Sequence, residues 1–166
     1  MIRQCNAADV APVWTLIEAA YRDYVPVLGR NPQPLDDDYA SLIDAGELFV
    51  LERDGHIAGA LVLQQAEDHL LVRTVAVDPS SQRQGIGTLM MEYAERHARD
   101  RGIATLRLYT NEVMAGNVEL YRRLGYTETH RTGPAGRQIV HLASHLDPAL
   151  SPAIERRAFQ KARTNG

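Results

Sequence analysis

The sequence predicts an α/β protein with a mixed, mostly antiparallel central sheet of about seven strands and helices on both faces. Three observations carry that prediction. Apolar runs of strand length recur along the chain, at Leu48–Arg53, Ile57–Gln64, Leu70–Val77 and Thr105–Tyr109. Asp54-Gly55 and Gly133-Pro134-Ala135-Gly136 are turns too short for a helical crossover, so the runs they join pair antiparallel. Between such runs the apolar period switches to helical, in an order (strand, two helices, three strands, helix, strand, helix, hairpin) that is neither strict alternation nor all-β.

Met1 to Cys5 reads as a first strand, with Cys5 a buried structural thiol. Asp9 offers an N-cap to a helix whose stripe is Val13, Leu16, Ile17, Ala20, Tyr21 and Tyr24. That helix should stop before Pro26, because proline penalises the helical conformation of its predecessor. Val27 to Pro34 reads as a loop, and Asp36 to Ala45 as a short helix with an acidic start, closed by Gly46. From Gly85 a helix presents Ile86, Leu89, Met90, Tyr93, Ala94 and His97 on one face and closes at Gly102. Ala115 to Leu124 forms the last helix, capped by Gly125, and strands at Tyr126–Arg131 and Gln138–Leu142 follow. Residues 1–147 are expected to form a single domain, and residues 148–166 a weakly helical or disordered tail.

Composition excludes several classes. A net charge of -3 supplies no basic field for nucleic acid. One cysteine cannot make an internal disulfide and suits a reducing, cytoplasmic setting. Met1-Ile2-Arg3-Gln4 lacks a signal-peptide pattern, and no apolar run approaches membrane-spanning length, so no membrane partner is expected.

The chemistry shows at a strand-to-helix junction. Val75-Ala76-Val77 ends at Asp78-Pro79, and Gln82-Arg83-Gln84-Gly85-Ile86-Gly87-Thr88 opens the next helix. First-turn N–H groups lack intrahelical partners and lie at the positive end of the helix dipole, so they suit an anion. Two glycines clear the approach, and Arg83 adds a cation. A nucleotide-hydrolase phosphate loop would need Gly-Lys-Ser/Thr, yet the only lysine is Lys161. A dinucleotide fingerprint would need a third glycine at Met90 and a parallel βαβ unit. Gln82, Gly85 and Gly87 fit instead the pattern Gln/Arg-x-x-Gly-x-Gly/Ala.

Residues 75–91 resemble motif A of the GCN5-related N-acetyltransferases. Leu108-Tyr109-Thr110-Asn111, Asn117 and Tyr121-Arg122-Arg123-Leu124-Gly125-Tyr126 are similar to that family's motif B, so the resemblance runs to about residue 146. It implies the acyl-CoA N-acyltransferase fold, acetyl-CoA as co-substrate, and transfer of its acetyl group to a primary amine by direct attack. It implies that Tyr121 acts as general acid toward the leaving thiolate. Asn117, one turn earlier on the same helix face, would hydrogen-bond the coenzyme. Backbone groups of Val75 and Val77 would meet the acyl oxygen and the pantetheine, and Gln82 to Thr88 the phosphates. It also allows a homodimer.

Where many relatives carry a glutamate, this sequence has Arg73, so the general base is open among Glu67, Asp68, His69, Glu112 and water. Acceptor contacts are expected from the first two helices and their loop, with Tyr24 and Arg30 as candidates and Tyr21 serving mainly in packing. Asn111 either orients substrate or forms an Asx turn. His141 and His145 sit in a strand and its exit without partners in register, so no metal site is expected. A rival from another class is a non-catalytic acyl-CoA-binding sensor, which would need no proton donor at the sulfur.

Overall fold

The computed structural model describes residues 1–147; the tail expected at 148–166 lies outside them. Seven strands form one sheet: β1 (Ile2–Gln4), β2 (Leu48–Arg53), β3 (His56–Gln65), β4 (Leu70–Val77), β5 (Thr105–Asn111), β6 (Thr127–Thr132) and β7 (Ile139–His145). Their order is β1-β2-β3-β4-β5-β7-β6, the mixed sheet that the sequence predicts. The helices are α1 (Val10–Tyr21), α2 (Val25–Leu28), α3 (Tyr39–Asp44), α4 (Ile86–Asp100) and α5 (Ala115–Arg123). The described residues form two compact units, Met1–Gln64 with Val72–Met91, and Gln65–Leu71 with residues 92–147.

In the first unit, β1 pairs antiparallel with β2, and β2 with β3 across the Asp54-Gly55 turn. Both turn residues have positive φ (51° and 78°), as a two-residue hairpin of matching twist requires. Leu48–Leu51 and Ala58–Leu63 are buried at every position, so β2 and β3 are covered on both faces. The α1 stripe contributes Val13, Leu16, Ile17 and Tyr21 to this core. Gly59 marks a close approach of a helix to the sheet: a Cβ there would lie 2.8 Å from Met90 Sδ and 3.0 Å from Ile86 Cγ2. The start of α4 is thereby seated directly on β3.

Two expectations are corrected here. Asp9 makes no side-chain cap for α1. Its carboxylate instead accepts from the Asn6 N–H (2.8 Å) and takes both Arg3 Nη groups at 2.8 and 2.9 Å, tying β1 to the helix entry. As expected, α1 ends before Pro26, at Tyr21; Pro26 itself sits in the first turn of α2, where its missing N–H costs nothing. On α4 the buried residues are Ile86, Met90, Met91, Ala94, Glu95 and Ala98, whereas Leu89 is 41% exposed. The inward face is thus rotated by about one residue from the expected stripe.

In the second unit, β7 pairs antiparallel with both β5 and β6. Leu106, Leu108, Val140 and Leu142 point to a buried face. α5 adds Val118 and Tyr121 to the core and is followed by Gly125 at φ 95°. Strand β7 runs three residues beyond its predicted end, to His145, which is paired with Thr105.

Candidate active site

The chain between β4 and α4 is fixed before it turns. The Asp78 N–H donates to Ala58 O at 2.9 Å, and Asp78 Oδ1 accepts from the N–H and hydroxyl of Ser80, both at 2.8 Å. Gln82 is extended, Arg83 adopts a left-handed φ of 63°, and Gly85 follows at 76°. A side chain at Gly85 would be strained by that φ, and the space where its Cβ would stand is open to 4 Å. The Leu89 N–H bonds Gly85 O at 3.0 Å, so the N–H groups of Ile86, Gly87 and Thr88 precede the helical ladder.

Ile86, 1% exposed, anchors this turn, while Gln82, Arg83, Gln84 and Gly85 face solvent. Arg53, from the β2–β3 hairpin, donates to Gln84 Oε1 at 3.0 Å and adds a second guanidinium beside the loop. The turn therefore fits a phosphate: main-chain donors, a clear approach and two cations.

On β4, Val75 and Val77 are half-buried and Ala76 is buried. The Val75 carbonyl accepts from the Tyr21 hydroxyl at 3.2 Å. Sequence reasoning assigned Tyr21 to packing; it is 8% exposed, and its polar tip reaches the strand expected to hold the acyl group. A tyrosine ending an apolar stripe was the available signal, since a buried phenol requires a partner.

Arg73 cannot supply a carboxylate, and its guanidinium is committed. Nη2 and Nε donate to Asp37 at 2.8 and 3.4 Å, and Nη1 to Gln64 at 3.3 Å. The acidic run expected to serve the helix dipole is divided. Asp38 caps α3 through the Ser41 N–H (3.1 Å), and Asp37 binds Arg73. Tyr24 is half-buried and Arg30 exposed, on either side of α2.

In the second unit, Tyr121 is 6% exposed and packs edge-on against Tyr126 at 6.1 Å. Its hydroxyl has no hydrogen-bond partner among the described residues. Burial pushes its pKa well above the ordinary phenol value, so it keeps its proton throughout the neutral range. Asn117 is half-buried, with only a long contact from Nδ2 to Met114 Sδ (3.7 Å). Asn111 is buried and forms an Asx turn: Oδ1 accepts from the Val113 N–H (3.1 Å) and Nδ2 donates to Arg137 O (3.2 Å).

Among the candidate bases, Glu112 is engaged at both oxygens, by Arg131 at 3.0 Å and the Gln138 N–H at 2.9 Å. Asp68 bonds His69 Nδ1 at 2.6 Å, which holds its carboxyl below the usual range, and Glu67 is exposed.

A mixed seven-stranded sheet with a turn at the start of α4 that has the donors and space for an anion defines an α/β protein suited to a phosphate-bearing ligand. The chain belongs to the Acetyltransferase (GNAT) family, whose family model matches residues 13–126; the family comprises acetyl-CoA-dependent N-acetyltransferases. It is 35% identical over 80 residues to the [ribosomal protein bS18]-alanine N-acetyltransferase of Escherichia coli K12, covering 48% of this chain and 54% of that one. The mycothiol acetyltransferase of Streptomyces coelicolor is 32% identical over 123 residues, covering 72% of this chain and 40% of that one. The chain thus spans about half or less of the length of these curated relatives. The crystal structure of the Escherichia coli ribosomal-protein-S18-alanine N-acetyltransferase superposes with a TM-score of 0.70 at 24% identity, over 90% of this chain and 97% of that one. That likeness establishes the shared fold.

Proposed function

We propose that this chain transfers the acetyl group of acetyl-CoA to a primary amine by direct attack, with Tyr121 as general acid. The carrying observation is Tyr121 itself, a buried phenol whose hydroxyl has no partner and whose proton is held by its surroundings. The amine nitrogen attacks the thioester carbon and forms the C–N bond. The C–S bond then breaks with its electron pair passing to sulfur. Tyr121 donates its proton to that sulfur, and the phenol is restored as the nitrogen's surplus proton leaves through a base or water. Gln82 to Thr88 hold the pyrophosphate, Asn117 bonds the coenzyme, and main-chain groups of Val75 and Val77 meet the acyl oxygen. Because Arg73 and Glu112 are engaged by other groups, the base is Glu67, Asp68, His69 or a water.

The acceptor lies against the chain around α2, where Tyr24 and Arg30 are its candidate contacts. The similarity to a ribosomal-protein alanine acetyltransferase supports including an alanine-terminated peptide among the amines tested.

Release of coenzyme A from acetyl-CoA, measured against that peptide, a polyamine and an amino sugar, tests the reading. Turnover with one of them is expected. Tyr121→Phe should then lower kcat by about 100-fold while the dissociation constant for acetyl-CoA moves less than about 2-fold. Tight acetyl-CoA binding with no release across the panel would favour a sensor, and unchanged kcat in Tyr121→Phe would remove the phenol from the mechanism.

A further inference from the structure

The outer face of β5, β7 and β6 carries a groove of about 490 Å³ that shares only His69 and the adjoining Asp68, two candidate bases, with the acyl-transfer reading. The strand register explains the hollow. Ala143 lies between Arg107 on β5 and Thr127 on β6, while the neighbouring row across the three strands is Tyr109, His141 and His130. A one-carbon side chain set among long ones leaves a depression with Ala143 as its floor. The register shift between Glu128 and His130 inserts Thr129 and keeps His130 opposite His141. Their rings stack at 4.1 Å with 7° between planes.

Four imidazoles and one guanidinium line this groove: His69, His130, His141, His145 and Arg107. Each imidazole is fixed through one nitrogen only. His130 Nδ1 shares a hydrogen bond with Thr129 (2.9 Å), His141 Nε2 with Thr132 (3.1 Å), His145 Nδ1 with Thr105 (3.1 Å) and His69 Nδ1 with Asp68 (2.6 Å). The second nitrogen of each ring has no hydrogen-bond partner among the described residues.

One carboxylate stands among these groups, Asp68, which is 3.8 Å from Arg107. Glu112 and Glu128, beside β5 and on β6, are paired with Arg131. No group of three ligating side chains among the described residues could hold a metal ion.

We propose that this groove binds a small multivalent anion, a phosphate or polycarboxylate, between Arg107 and the histidines around Ala143. The stacked pair makes binding pH-dependent. Burial, and secondarily His130, holds His141 below the ordinary histidine pKa, so its ring is neutral at neutral pH. An anion offsets both penalties, so binding takes up protons and tightens as the pH falls. The groups facing the groove are Asp68 and His69 before and at the entry to β4, Arg107 and Tyr109 on β5, His130 on β6, and His141 and His145 on β7. Of these only Asp68 is acidic at neutral pH and works against the anion.

The test uses the full chain without acyl donor, titrated separately with inorganic phosphate and with citrate at constant ionic strength. Imidazole resonances are followed by NMR at about pH 6 and about pH 8. The groove histidines should shift saturably with one or both anions, at least about 10-fold more tightly at the lower pH, while His97 stays still. The arm that saturates at lower concentration identifies the preferred anion. Arg107→Gln, at a half-exposed position, should weaken binding at least about 10-fold at both pH values, and Ala143→Leu should abolish it by filling the floor. Absence of saturation with both anions would overturn the site. So would shifts that survive Arg107→Gln unchanged or that His97 shares, since either would be general ionic screening.

Discussion

At the scale of single residues, the turn that opens α4 has the most direct consequence. Gly87 stands among the first N–H donors of that helix, and Ile86 beside it is locked into the core. Gly87→Glu would place bulk and negative charge where the proposed pyrophosphate lies, without disturbing a buried side chain. The expected outcome is loss of acetyl-CoA binding by at least about 100-fold, with the thermal midpoint of the free protein shifted by only a few degrees. Calorimetric titration with acetyl-CoA measures the first and differential scanning the second; binding retained within a few fold would refute the phosphate assignment. The glycines of this turn were legible because only backbone freedom at a helix start explains two of them there. The role of Tyr21 was not. Its position in an apolar stripe says that it packs, whereas the aim of its hydroxyl at Val75 depends on how α1 lies over β4.

At the scale of elements, the junction of β1 and α1 shows local and tertiary signals diverging. The sequence offers Asp9 as a cap; in the fold its carboxylate is taken by Arg3, which also binds Glu52 at 2.9 Å. Arg3 holds the Asp9 carboxyl below the usual range, with burial opposing and the Asn6 N–H assisting. A carboxyl depressed on folding contributes stability that is present above its unfolded pKa and lost as the pH falls through its folded one. Asp9→Asn should therefore cost about 1.5–3 kcal/mol at neutral pH, the range for a buried charge-assisted hydrogen bond. Its deficit relative to the wild type should begin to shrink below about pH 4, where the carboxyl of the unfolded chain takes up a proton, and should vanish only once the pH has fallen through the lower folded pKa. Denaturant titrations of both proteins at neutral and acid pH measure this, and a deficit independent of pH would mean that the amide disrupts packing.

Strand ends diverge in the same way. β4 is read correctly because its apolar run spans Leu70–Val77. β7 was cut short because its last residues are polar and earn strand geometry only by pairing with β5. The register shift at Thr129 leaves no trace in hydrophobic pattern, since β6 is mostly exposed. For that reason the histidine groove is invisible in the sequence, which sets His141 in a strand and His145 at its exit but brings neither to His130.

At the scale of the whole molecule, both compact units bury groups that must stay protonated, and this sets the alkaline limit of stability. Cys5 and Tyr39 lie in the first unit and Tyr121 in the second. Burial pushes the Cys5 thiol up to about 12 and raises both phenols well above their ordinary value, with Asp37 adding to the shift at Tyr39. Each folded pKa lies above its unfolded counterpart, so each group contributes fully below the unfolded pKa and loses that contribution as the pH rises toward the folded one. The loss begins near pH 9 with Cys5 and steepens near pH 10 as the phenols of the unfolded chain ionise. Each group adds a slope of up to about 1.4 kcal/mol per pH unit, so stability should be nearly flat from about pH 7 to 8.5 and fall at an increasing rate above that. Guanidinium titrations across this range should show the curve. Cys5→Ala should remove the component that starts near pH 9, and Tyr39→Phe should flatten the limb above about pH 10, whatever each substitution costs at neutral pH. A wild-type curve that stays flat to about pH 11 would mean that these groups ionise in the folded protein as readily as in the unfolded chain, and that their burial is relieved by local opening before the fold is lost.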